Sequence, residues 1–156
     1  MKALNNTDKQ AVLFGNLFLL ANKLQAVSDK YLEGDDITAK QWFLVAAINQ
    51  FSETPPTLSE VSELIGSSRQ NVKQLALKLE KKGFLQIEKN KQDTRAYRLV
   101  LTEKCHLFWQ NRELQDNRFI TDITGCLTAQ ETDNLYEYID KMLKKTDEIH
   151  KSQLSI

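Results

Sequence analysis

The 156 residues, 41% hydrophobic and 27% charged, suffice for one domain with its own core and are too polar for a membrane protein. Acids and bases balance at 21 each, so net charge alone offers no attraction to nucleic acid or to a membrane surface. Cys105 and Cys126 lack CxxC spacing, which argues against a disulfide framework or a zinc ribbon.

No run approaches the roughly 18 apolar residues of a membrane span. The start, MKALNNTDKQ, lacks the basic-then-apolar order of a secretory signal. The expected location is therefore cytoplasmic, with no membrane partner. Five Gly and two Pro leave little room for tight turns, which favours a mostly helical chain.

In chain order, Leu13, Leu17, Leu20, Leu24, Val27 and Tyr31 recur at steps of four and three, the stripe of a long amphipathic helix over 10–33. Gly34-Asp35-Asp36 ends it. Four Ser/Thr-x-x-Glu/Gln boxes mark further helix starts: Thr38 to Gln41, Thr57 to Glu60, Ser67 to Gln70 and Thr128 to Glu131. The second helix is expected from Thr38 to Phe51, stopped by ETPPT because proline cannot continue it. Two short helices follow, Leu58 to Ile65 and Ser68 to Lys82, parted only by Gly66-Ser67. A helix, a Gly-containing turn and a second helix make a helix-turn-helix candidate, and Gly83 is placed to stop the second. After Gly83 the period changes to two. FLQIE and AYRLVLT, with polar KNKQDTR between them, read as a β-hairpin. From Thr102 the chain returns to two helices with more apolar surface than a small winged domain needs, so the chain ends are expected to pack together, best with those of a second subunit.

The fold class expected is thus mainly α with a small β-hairpin wing. A winged helix-turn-helix lobe over 38–101 is flanked by long terminal dimerisation helices, 10–33 and 102–151, within a single domain spanning 1–156. The zero net charge hides an asymmetry: residues 67–98 hold nine bases against three acids. A basic segment in an acidic body suits phosphate binding, although a solvated lysine-rich helix has the same composition.

DTRAYRLVLT, with Asp93, Arg95, Leu99, Leu101 and Thr102, resembles the wing signature D-x-R-x-x-x-(apolar)-x-L-T of the MarR family, the multiple-antibiotic-resistance regulators. LKLEKKGFL, from Leu77 to Leu85, is similar to that family's recognition-helix ending, and the element order matches from about residue 10 to 150. The resemblance implies a homodimer with interlocked terminal helices, two winged lobes on successive major grooves of a palindrome, and repression relieved by a small anionic or phenolic effector or by oxidation. The chain departs from the family in carrying Ile87 and Glu88 where many members have Arg on the first wing strand. It also has no Cys before Cys105, whereas peroxide-sensing members carry one near the first helix.

A recognition helix lies with its amino-terminal half toward base edges. Gln70, Lys73 and Gln74, with Arg69 and Asn71, carry donors and acceptors that match adenine or guanine, though Gln70 is equally suited to closing the Ser67 box. Ser67 and Ser68, at a helix amino terminus, can meet a phosphate. Lys78, Lys89, Lys91 and Arg98 are phosphate contacts or simply solvated. Arg95 at the hairpin tip suits the negative potential of a narrow minor groove, with Asp93 accepting its guanidinium or capping the turn. Without DNA that pair is a surface ion pair worth about 0–1 kcal/mol. Tyr31 and Trp109 are candidates for lining an effector pocket, although large aromatics are more often core.

His106 and His150 stand apart from any metal-spaced partner, so no metal and no cofactor are expected. No nucleophile elbow or phosphate-cradling glycine loop is present, and an enzyme is not expected. The reading is a sequence-specific double-stranded DNA-binding regulator. The alternative is a winged helix that binds protein, which would show apolar anchors on the recognition helix, where Leu77 is the exception among Gln, Lys and Arg.

Overall fold

Local capping decides where the helices begin. In this computed structural model, which describes residues 5–90 and 96–153, the order is α1 Asn6–Leu32, α2 Ala39–Asn49, α3 Leu58–Leu64, α4 Arg69–Lys81, β1 Leu85–Lys89, β2 Tyr97–Leu101, α5 Glu103–Thr124 and α6 Ala129–Gln153. Thr38, Thr57 and Thr128 each accept from the backbone N–H three residues on, and each in turn donates its own N–H to the side chain of Gln41, Glu60 or Glu131. Asp29 adds a tie from α1, accepting the Ala39 N–H at 2.7 Å.

The fourth box does not form as expected. Gly66, at φ 62°, ends α3 in a Schellman turn in which Gly66 N–H donates to Glu63 and Ser67 N–H to Ser62. The Ser67 amide is thereby taken, so Gln70 has no donor to reach back to. Ser68 caps α4 instead, accepting from Asn71 N–H at 3.2 Å. Gln70 is freed for another use. The same turn recurs at Gly83, φ 75°, where Gly83 N–H meets Glu80 and Phe84 N–H meets Leu79. At the end of α1 the left-handed residue is Asp36 rather than Gly34, after a single 3-10 turn over Glu33–Asp35.

The chain divides into two compact units, Met1–Leu107 and Phe108–Ile156. In the first, α2, α3 and α4 close on the hairpin around fully buried Leu44, Val61, Val72, Leu79, Leu85 and Leu99. The strands pair antiparallel with Leu85 opposite Leu101 and Lys89 opposite Tyr97. A third segment joins them: Thr57 bridges to Arg98, and Leu99 N–H donates to the Pro56 carbonyl at 2.8 Å. Cys105 is buried at the start of α5, consistent with a structural thiol, while Cys126 is exposed.

In the second unit, Phe108 and Trp109 meet edge to face at 4.8 Å, and the Arg112 guanidinium lies over Phe108 and pairs with Asp116. Of α6, Leu135, Ile139, Met142, Leu143 and Ile149 are exposed. The apolar side of α1 is likewise open, with Leu13, Phe14, Phe18, Leu20, Leu24 and Val27 exposed. One expectation is corrected here: α1 is long and apolar enough, by length and composition, to cross a membrane, with a mean hydropathy of 1.3 over 18 residues. Its single Gly and scattered Asn and Gln interrupt the apolar run, so no contiguous apolar stretch marks it in the sequence.

Candidate nucleic-acid interface

α4 owes its orientation to its apolar stripe. Val72, Ala76 and Leu79 are buried to the last atom against the lobe's core, which turns the opposite side of the helix outward. On that side Gln70, Lys73, Gln74 and Lys78 are exposed, with Leu77 among them. Arg69 and Asn71 flank the stripe near the helix start, also exposed. Ser67 and Ser68 have local duties: Ser68 is the cap, and Ser67 Oγ accepts from Asn71 Nδ2 at 3.0 Å. These bonds hold Asn71 back toward the turn, and they leave the stripe proper to the two glutamines and the lysines.

Lys78 and Lys81 also stand in the last turn of α4, where cations complement the helix dipole. Glu80 stands against that dipole, and its partner explains it. Ile87 and Leu99 face each other across the hairpin as a pair whose amides both point outward from the ladder. The Leu99 amide meets Pro56, and the Ile87 amide meets Glu80 Oε1 at 2.9 Å. Glu80 therefore satisfies an edge-strand donor and ties the hairpin to the recognition helix. Neither Glu80 nor the Pro55–Thr57 segment is legible in the pattern of residues: Glu80 meets an amide on a strand edge, and Pro55–Thr57 meets β2 more than forty residues later.

Arg98 is half-buried, and its guanidinium donates to the Pro55 carbonyl. It also lowers the Glu60 carboxyl, whose pKa falls chiefly through its hydrogen bonds from Thr57 and in smaller part through this positive charge. Arg98 is thus engaged within the lobe, while Lys89 on β1 is exposed. Asn90 N–H donates to Ala96 O at 2.9 Å and closes the described part of the hairpin. Lys91, Asp93 and Arg95 lie outside the described residues. Tyr31 is half-buried on α1. Trp109 is half-buried on α5, and its indole Nε1 is buried with no hydrogen-bond partner among the described residues.

The geometry is that of a helix held by its core face and a hairpin locked to its end, with amide and ammonium groups turned outward. Such groups suit base edges and phosphates. No group of His, Cys, Asp and Glu able to hold a metal occurs among the described residues.

No protein-family model matches the chain. In sequence it is 26% identical over 141 residues to the transcriptional repressor MprA of Escherichia coli, covering 90% of this chain and 80% of the relative. In fold it is similar to a MarR protein from Peptoclostridium difficile, with a TM-score of 0.78 at 20% identity, covering 95% of both chains. It is similar too to a mutant MarR from Escherichia coli complexed with operator DNA, with a TM-score of 0.75 at 20% identity, covering 90% of this chain and 99% of that one. The relatives are transcription regulators, and this chain shares the winged helix-turn-helix fold of these MarR proteins.

Proposed function

We propose that the protein is a cytoplasmic, sequence-specific double-stranded DNA-binding transcriptional repressor, acting as a homodimer on a palindromic operator and released by a small-molecule effector. One observation carries the reading: the face of α4 turned from the core presents Gln70, Lys73, Gln74 and Lys78 to solvent while the same helix anchors the wing through Glu80. The repressor name of the similar sequence and the operator DNA held by one fold neighbour support it.

The test is selection of bound duplexes from a random pool. An inverted repeat is the expected product; enrichment of nothing, or of an unrepeated motif, overturns the proposal. On the selected operator at fixed salt, Arg95→Ala lowers affinity for specific and random duplex alike, as loss of a minor-groove cation does. Unchanged binding by that variant would refute the wing assignment.

The exposed apolar side chains of α1 and α6 support the homodimer, since an open face of this extent in one chain is normally covered by another. Sedimentation equilibrium measures it directly. For the effector, Trp109 is the proposed contact, its unmatched indole N–H supporting an anionic ligand, and Tyr31 on α1 is a separate candidate. Benzoate serves as the probe: it quenches the wild-type tryptophan emission and releases the operator, and Trp109→Phe abolishes the quench while a flat titration of the wild type removes the assignment.

A further inference from the structure

Leu77 is 40% exposed in the middle of a stripe otherwise made of polar side chains. It stands seven residues after Gln70, which at 100° per residue places the two within about 20° of each other around the helix and about 10 Å apart along it. That rise is about three base-pair steps of ~3.4 Å. It also lies four residues after Lys73 and three after Gln74, so all four share one side of α4. Its immediate successor is Lys78, and Lys81 lies four residues on; the surround is cationic rather than apolar. An isolated leucine within a basic surround fits a surface whose partner is anionic with small apolar spots. The major groove is such a partner, because thymine alone among the DNA bases shows a methyl group there.

We propose that Leu77 is a specificity residue that contacts the C5-methyl of a thymine in each half-site, about three base pairs from the base read by Gln70. The inference rests on the DNA-binding reading above. Gln70, released from capping, and Leu77 form its two ends: one reads an edge by hydrogen bonds, the other reads a methyl by excluding water from it.

The experiment uses the selected operator with its thymines replaced one at a time by deoxyuridine, which deletes only the methyl. Wild-type protein loses about three- to fivefold in affinity at one position of each half-site, the size expected for one buried methyl. Leu77→Gln and Leu77→Ala bind the unmodified operator more weakly and lose that sensitivity at the same position. Leu77 is exposed, so both variants are expected to fold; equal thermal midpoints check this. A flat deoxyuridine scan in the wild type, or an identical scan in both variants, overturns the proposal while leaving DNA binding intact. A fall in oligomer mass for Leu77→Gln overturns it in favour of a protein contact. Failure to select any duplex instead removes the DNA-binding reading on which the proposal depends.

Discussion

The winged lobe and the long helices answer the same demand in opposite ways. Within the lobe, Leu44, Leu79 and Leu99 find their partners inside one chain, and the helices α2 and α3 begin on reciprocal caps. Along α1 and α6, residues as apolar as these stand in the open: Phe14 is 65% exposed and Leu143 61% exposed. Composition does not separate the two regions. What separates them is whether the stripe meets a complementary stripe in its own sequence. A lobe that completes itself can be stable alone, whereas a helix with an open apolar side suits a covering partner such as the proposed second copy.

The largest effect expected from this contrast is in the lobe. Leu79→Ala removes a fully buried side chain and costs about 2–5 kcal/mol by chemical denaturation. Phe14→Ala costs less than about 0.5 kcal/mol of lobe stability by the same measurement in dilute monomer. Equal losses at the two positions would erase the distinction between the regions. Next, Leu143→Glu on α6 weakens self-association by about 2–3 kcal/mol while the lobe's unfolding is unchanged. Sedimentation against concentration reads the first and denaturation at low concentration the second.

On the interface, Gln74→Ala blurs sequence preference by about 1–3 kcal/mol between right and wrong base, and Lys73→Ala reduces the salt slope of binding by about one. A smaller change follows at the wing base. Glu80→Ala costs about 1 kcal/mol and speeds hydrogen exchange of the Ile87 amide, whose acceptor it removes. Exchange unchanged at Ile87 would show that the strand edge holds without α4. The mildest effect is electrostatic. Glu60 is held below its ordinary value of 4.5 by its hydrogen bonds from Thr57 and by Arg98. Its contribution is therefore present above the unfolded pKa and is lost as pH falls below about 4.5 through the folded pKa. Glu60→Gln flattens that part of an acid titration followed by circular dichroism.

The sequence was most legible where the physics is local. Thr38, Thr57 and Thr128 sit within four residues of the partners that complete their boxes, so residue order alone located three helix starts. Ser67 misled because a competing local motif, the turn through Gly66, takes its amide first. The outward face of α4 followed from its apolar period. The employment of Arg98 did not, since the Pro55 carbonyl it meets lies more than forty residues earlier. Glu80 was hidden for a different reason: its partner, seven residues on, is the outward amide of a strand edge. The open sides of α1 and α6 were visible as apolar periods, but only the fold separates a stripe that is covered from one that is bare.

The Pro55–Thr57 segment does more than bridge to Arg98. It fastens β2 on one side as α4 fastens β1 on the other, so the base of the hairpin and the reading helix travel as a single stiff plate. In the proposed dimer, a change in how far apart two such plates stand is taken up outside them, before residue 55 or after residue 101.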